Sequence, residues 1–184
     1  MLKLYGGARS RASLVQWYLE EIGVDYEFVL LNMSVSEHLE DRYKAINPFG
    51  KVPGLEDGEF KLWESGAILL YVAEKFTQEF QNPEARAIAA QWVLFANATL
   101  GPGVFMEATR EKEFPRLMDP LQAILSQQPF MIGDQFSVVD VAVGSYLFYI
   151  PFMLQLDLSP YPAIDSYVKK LMKRPAFQNT IGKR

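Results

Sequence analysis

The stretch NPFGKVPGLEDGEFKLWES, Asn47 to Ser65, sets two prolines and three glycines around two short apolar runs. Asp57-Gly58 separates those runs as hairpin turns do, so a strand is expected on either side of it. Val52 precedes a proline and is driven to extended backbone, and X-Pro is the only common cis peptide. A cis Val52-Pro53 bond would turn the Val52 N–H and C=O outward, free to pair with another strand-like peptide. Glu64-Ser65 then falls at a strand-to-helix junction, where a hydroxyl, unpaired N–H groups and the helix dipole meet. Together the two motifs read as a receptor for a peptide backbone and a carboxylate. Each alone reads equally well as a tight hairpin with an N-capping Ser65.

Upstream, LYGGARSRASLVQW (Leu4 to Trp17) runs from a strand through a glycine turn into a helix. Leu2 and Leu4 alternate with Lys3 and Tyr5, and Val15, Tyr18, Leu19 and Ile22 follow a helical period that Gly23 ends. Such a turn at a helix start is a place to hold an anion. Tyr26, Phe28 and Leu30 alternate as a second strand, and a polar stretch from Asn32 to Ala45 leads back to the hairpin. Ser65 starts a helix continued by Ile68, Tyr71, Val72 and Lys75-Phe76. Residues 1–77 therefore read as βαβ, a loop, then ββα.

Beyond Asn82, an N-cap followed by Pro83 at the first helical position, no comparable strand signal recurs. Trp92, Phe95, Ala96 and Leu100 form one apolar stripe and Leu117, Leu121 and Leu125 another. PAIDSYVKKLMKRPAF (Pro162 to Phe177) reads as a final amphipathic helix. Residues 82–184 are thus expected to be one all-helical domain. Ser137 and Asp140 are spaced as a capping box, so Asp140 reads as a cap and not as a catalytic acid. The apolar segment Val138 to Leu154 is at the lower limit for a membrane span and contains Asp140 and Pro151; a buried core helix is expected there.

With 184 residues, 49% hydrophobic and 22% charged, the chain can bury a substantial core. A formal charge of -4 and a pI near 5.1 argue against a general nucleic-acid binder; KKLMKR near the C terminus reads as a solvated helix face. Cysteine is absent, which excludes a disulfide framework, a protein thiolate nucleophile and a thiolate zinc site. MLKLYGG lacks the pattern of a signal peptide, so a cytoplasmic location is the default, with neither a membrane nor a nucleic acid among the expected partners and no metal site.

The N-terminal half resembles the glutathione-binding domain of soluble glutathione transferases, through NPFGKVP, LEDGEFKLWESGAI and the later SVVD cap, and the resemblance covers essentially the whole chain. The first two motifs are similar to those of the phi class. The short length, missing cysteine and Arg9 also resemble the small cyanobacterial chi class. The resemblance implies an α/β plus all-α fold, a thioredoxin-like domain followed by a C-terminal helical bundle that lines a hydrophobic pocket. It implies an enzyme that uses glutathione as co-substrate, with no cofactor, acts on hydrophobic electrophiles in detoxification, and forms a homodimer. Carried over by position, Val52 would pair with the cysteinyl backbone of glutathione beside cis Pro53, and Glu64 and Ser65 would hold its γ-glutamyl end. His38 would bind the glycyl carboxylate, with Lys51 a nearby polar contact; Leu39 departs from the basic residue often found next. Tyr5, Phe105 and Met106 are candidates for the hydrophobic pocket. A binding or interaction module of the same fold, without turnover, is the alternative. A thiol reductase is disfavoured because no protein cysteine can form the mixed disulfide.

The anion at GGARSRAS would then be the glutathione thiolate. A free thiol has a pKa of about 8.5, and stabilising its thiolate by ~2 units requires about 2.7 kcal/mol. A helix dipole supplies only ~0.3–1 kcal/mol, while a hydrogen bond to a charged group is worth roughly 1.5–3 kcal/mol. A directed donor is therefore needed. The family's usual serine or cysteine position falls on Arg9, with Ser10 one step later: Ser10 would donate its hydroxyl, or Arg9 would act through a guanidinium that stays protonated. Arg11 and Ser13 are expected to face solvent or cap the helix.

Overall fold

The computed structural model describes Met1–Lys183; Arg184, the last residue of the expected helical domain, lies outside the described residues. The chain forms two compact units, one made of residues 1–78 together with the chain from Pro175 onward, the other of Glu79–Arg174.

In the first unit, Leu2 and Leu4 of β1 (Leu2–Gly6) point into the core while Lys3 and Tyr5 are half-buried, the alternation that a period of two requires. α1 (Ala12–Ile22) buries Leu14, Val15, Trp17, Tyr18 and Leu19 and ends where Gly23 takes φ 67°, a left-handed cap that costs least without a Cβ. β2 (Tyr26–Leu30) lies parallel to β1, with Leu4 opposite Phe28. β3 (Gly54–Asp57) runs antiparallel on the other side of β1, with Tyr5 opposite Gly54, and β4 (Phe60–Trp63) completes a sheet of order β2-β1-β3-β4. α3 (Ser65–Phe76) packs against α1 and buries Ile68, Leu69, Val72 and Ala73.

The polar stretch Asn32–Ala45 is more ordered than its composition suggests. It holds two 3₁₀ turns, Met33–Val35 and Glu37–Leu39, and the short helix α2 (Asp41–Lys44). Tyr43 anchors it, buried with Leu31 and Ile46. One aromatic among polar neighbours carries no period, so a periodicity reading passes over it.

The second unit is helical: α4 (Pro83–Phe95), a π turn over Ala96–Leu100, α5 (Gly101–Phe105), α6 (Glu107–Leu125), α7 (Val138–Leu154) and α8 (Pro162–Met172). The Asn82 side chain accepts from Ala85 N–H at 2.8 Å, capping α4 as expected. Within α4 the buried positions are Ala89 and Val93, continued by Ala96 and Leu100, whereas Trp92 and Phe95 are half-buried. Ala96 and Leu100 of the expected stripe are thus buried, while Ala89 and Val93 take the buried places expected of Trp92 and Phe95. Pro83–Phe105 is long and apolar enough to cross a membrane by length and composition alone, but this buried face lies inside the second unit. α7 is the expected core helix, buried from Val138 to Ser145.

The C terminus departs from the expected single helix. Pro175 lacks an N–H and restricts Arg174, so α8 stops at Met172 and a separate α9 (Pro175–Asn179) follows. α9 belongs to the first unit, where Phe177 meets Trp17 edge-on with centroids 5.0 Å apart.

Candidate active site

The site is assembled at the carboxyl end of β1, where the Gly6-Gly7 turn enters α1. The Ser10 hydroxyl donates to the Gly7 C=O at 3.0 Å and its oxygen accepts from Gly7 N–H at 3.1 Å and Ala12 N–H at 3.3 Å. Ser10 thus does the capping that Arg11, in the N-cap position, does not. Ser13 is buried, its hydroxyl donating to the Ser10 C=O at 3.1 Å. No acidic residue occupies the first turn of α1, so nothing there opposes the positive end of the helix dipole.

Arg9 and Ser10 line an open cavity of about 870 Å³ with Arg11, Leu31, Met33 and Val52, a volume in the range of small-molecule sites. A second, polar cavity of about 180 Å³ is lined by Arg11, Lys51, Val52, Pro53, Glu64 and Ser65. Val52 and Arg11 line both. Arg11 is exposed, as expected, but it faces these cavities and not only bulk water. Across the two cavities Arg9, Arg11 and Lys51 stand with the carboxylates of Glu37 and Glu64.

Val52-Pro53 is cis. No described residue hydrogen-bonds to the Val52 backbone, so this short edge before β3 is open to an extended peptide. Glu64 takes φ 71° and ψ 119°, a conformation that costs a residue with a Cβ ~1–3 kcal/mol and that clusters at ligand sites. It delivers Ser65 to the first turn of α3, which also contains no acidic residue and whose N–H groups lack helical partners. An amino-acid carboxylate suits that position.

Two residues that the sequence reading missed hold this edge from behind. Tyr43 donates its hydroxyl to the Lys51 C=O at 2.6 Å, and the Asn47 side-chain amide donates to the same oxygen at 2.7 Å. Burial pushes the Tyr43 phenol up to about 12. The available signal was Asn47 before a proline, a residue that bonds its own following backbone: its Oδ1 accepts from Phe49 N–H at 3.1 Å.

Two further candidates of the first unit, His38 and Tyr5, line neither cavity. His38 is half-buried in the second 3₁₀ turn; its Nδ1 is buried with no partner among the described residues. The Tyr5 ring lies 5.8 Å from that of Tyr43 and its hydroxyl donates to Glu56. Burial and the Glu56 carboxylate push that phenol far up. Phe105 and Met106 lie in the second unit, Phe105 with its ring 6.2 Å from Tyr146 and Met106 56% exposed. Arg110 closes the end of α5 by donating to the C=O of Val104 at 2.6 Å and of Phe105 at 3.3 Å. Among the described residues no group of three or more His, Asp or Glu side chains is placed to hold a metal ion.

Residues 1–74 match the family described as glutathione S-transferase, N-terminal domain, and residues 102–183 the corresponding C-terminal domain. Glutathione S-transferase 1 of Zea mays is 32% identical over 96% of this chain and 94% of its own length. Glutathione transferase F7 from Populus trichocarpa superposes with a TM-score of 0.86 at 27% identity, over 99% of this chain and 98% of that one. The theta class glutathione S-transferase of Xanthomonas axonopodis pv. citri, solved with glutathione bound, gives 0.82 at 28% identity, over 98% and 96%. A thioredoxin-like sheet with an open cis-proline edge, followed by a helical unit and matched along nearly its whole length, places the chain in the glutathione S-transferase family.

Proposed function

We propose that the protein conjugates the thiolate of glutathione to small hydrophobic electrophiles, a cytoplasmic detoxification reaction carried out by a homodimer. The observation that carries the assignment is Val52, whose unpaired backbone stands between the cavity at the start of α1 and the cavity at the start of α3. An extended tripeptide laid on that edge sets its γ-glutamyl end at Glu64 and Ser65 and its thiol beside Ser10 and Arg9. Lys51, in the same cavity as Glu64 and Ser65, would add a polar contact there; His38, from its 3₁₀ turn, would take the glycyl end, and Phe105 and Met106 the electrophile.

In the reaction, the thiolate attacks the electrophilic carbon, a carbon–sulfur bond forms, and a leaving group departs or a proton adds to the acceptor. The protein lowers the barrier by keeping the thiol ionised at neutral pH. Ser10 does so by turning its hydroxyl from the Gly7 C=O to the sulfur, or Arg9 does so by charge. Ultraviolet titration of bound glutathione separates the two, and the absence of cysteine means that every thiolate signal comes from the ligand. The unmodified protein is expected to lower the thiol pKa by about one unit or more from about 8.5, and either Ser10→Ala or Arg9→Ala to abolish the shift. Glutathione bound with its free pKa would reject conjugation as the activity.

A further inference from the structure

Two buried donors converge on one carbonyl. Tyr43, 1% exposed, and Asn47, 2% exposed, both hydrogen-bond the Lys51 oxygen, at 2.6 and 2.7 Å. A carbonyl oxygen has two lone pairs, and here both are used. The Lys51 C=O and the Val52 N–H belong to one planar peptide unit and, when it is trans, point in opposite directions. Holding the oxygen on the protein side therefore aims the Val52 N–H to the other side.

Gly54 supplies independent support. A Cβ there would lie 2.9 Å from the Tyr43 hydroxyl and 3.2 Å from Ile46 Cγ2. Its φ is not in the left-handed region, so space and not backbone conformation calls for glycine: the phenol passes over the start of β3 to reach Lys51. The Tyr43 ring is held by Leu31 and Ile46, with Val52 and Tyr5 packed on the same cluster. The Asn47 N–H is in turn bonded to the Tyr43 C=O at 3.0 Å, so the two donors are themselves tied together.

We propose that Tyr43 and Asn47 are positioning residues that pre-orient the Lys51-Val52 peptide for glutathione, a role resting on the glutathione-binding reading above. Neither side chain touches the ligand in this arrangement. They remove the disorder that the free edge would otherwise lose on binding, so their contribution appears in affinity and not in the chemical step.

The experiment is calorimetric titration of glutathione and S-methylglutathione into the parent protein, Tyr43→Phe, Asn47→Ala and Gly54→Ala, with urea midpoints measured alongside. kcat, KM and the bound-thiol pKa are taken with an aryl halide. Tyr43→Phe is expected to weaken both ligands about fivefold, the loss of one ordinary hydrogen bond. KM for glutathione rises by the same factor, while kcat at saturation and the thiol pKa are unchanged. Gly54→Ala, which displaces the phenol, reproduces the loss. A lowered urea midpoint with unchanged Kd in Tyr43→Phe overturns the proposal, leaving the pair a purely structural contact. So does a fall in kcat with KM unchanged. A parent protein that binds neither ligand overturns the glutathione reading itself, and the positioning role with it.

Discussion

Asp140, fully buried, accepts four hydrogen bonds: Met131 N–H at 2.8 Å, Ser137 N–H at 2.9 Å, the Ser137 hydroxyl at 3.2 Å and the Tyr167 hydroxyl at 2.9 Å. Burial raises its pKa and the four donors pull it back, with burial the larger influence. Asp140→Ala would leave the buried Met131 amide and Tyr167 hydroxyl unpaired, each costing ~1–3 kcal/mol, along with the half-buried Ser137 amide. The second unit is expected to lose about 3–5 kcal/mol, read as a fall in the urea midpoint, while the affinity of the first unit for glutathione holds. The spacing of Ser137 and Asp140 made the capping box legible. Met131 and Tyr167 were not, since nothing in a four-residue window names partners 9 and 27 positions away.

Among the elements, the β3–β4 hairpin is tied to α3 through Asp57, whose carboxylate accepts from the Lys75 ammonium and, at 2.7 Å, from the Tyr71 hydroxyl. Those hydrogen bonds, Lys75 first, hold the Asp57 pKa below its ordinary value. A depressed carboxyl adds stability above its unfolded pKa that is lost as pH falls through the folded one. Asp57→Asn is therefore expected to lower the urea midpoint at neutral pH, and the gap to the parent to close as acid protonates Asp57. A gap that persists in acid would assign the effect to packing. The hairpin itself was readable from Asp57-Gly58, because a two-residue turn is a local choice. The order within Asn32–Ala45 was not, because α2 is held by the burial of Tyr43 against Leu31 and Ile46, contacts made after the chain has folded back.

At the scale of the whole chain, tyrosine dominates the alkaline response. Tyr5, Tyr26, Tyr43, Tyr71, Tyr161 and Tyr167 all have raised pKa values, burial being the largest cause in each. Between about pH 10, where an unfolded tyrosine ionises, and about 12, where Tyr43 does, the unfolded chain binds fewer protons than the folded one. Stability therefore falls as pH rises through that window. Urea midpoints measured from pH 8 to 11 should stay level and then drop, and Tyr43→Phe should soften the drop. The alternation of strands and helices was visible in periodicity and punctuation. The placement of α9 was not: Pro175 marks a break, but only the contact between Phe177 and Trp17 says which unit receives it.

By itself the sequence determined what neighbours within a few residues decide. These are the period-two and period-3.6 runs, the caps at Asn82 and Ser137, the Asp57-Gly58 turn, the cis-prone Val52-Pro53 and the Glu64-Ser65 junction. Their energetics are local, so their spelling is local. Tertiary structure alone decided that Val52 and Arg11 are shared by two cavities and that Tyr5 turns to Glu56. It also decided that Tyr43 and Asn47 meet on one carbonyl over Gly54. Each depends on segments brought together by burial of the β1 and α1 core, and the distance between residues along the chain carries no record of which polar atoms that burial leaves facing one another.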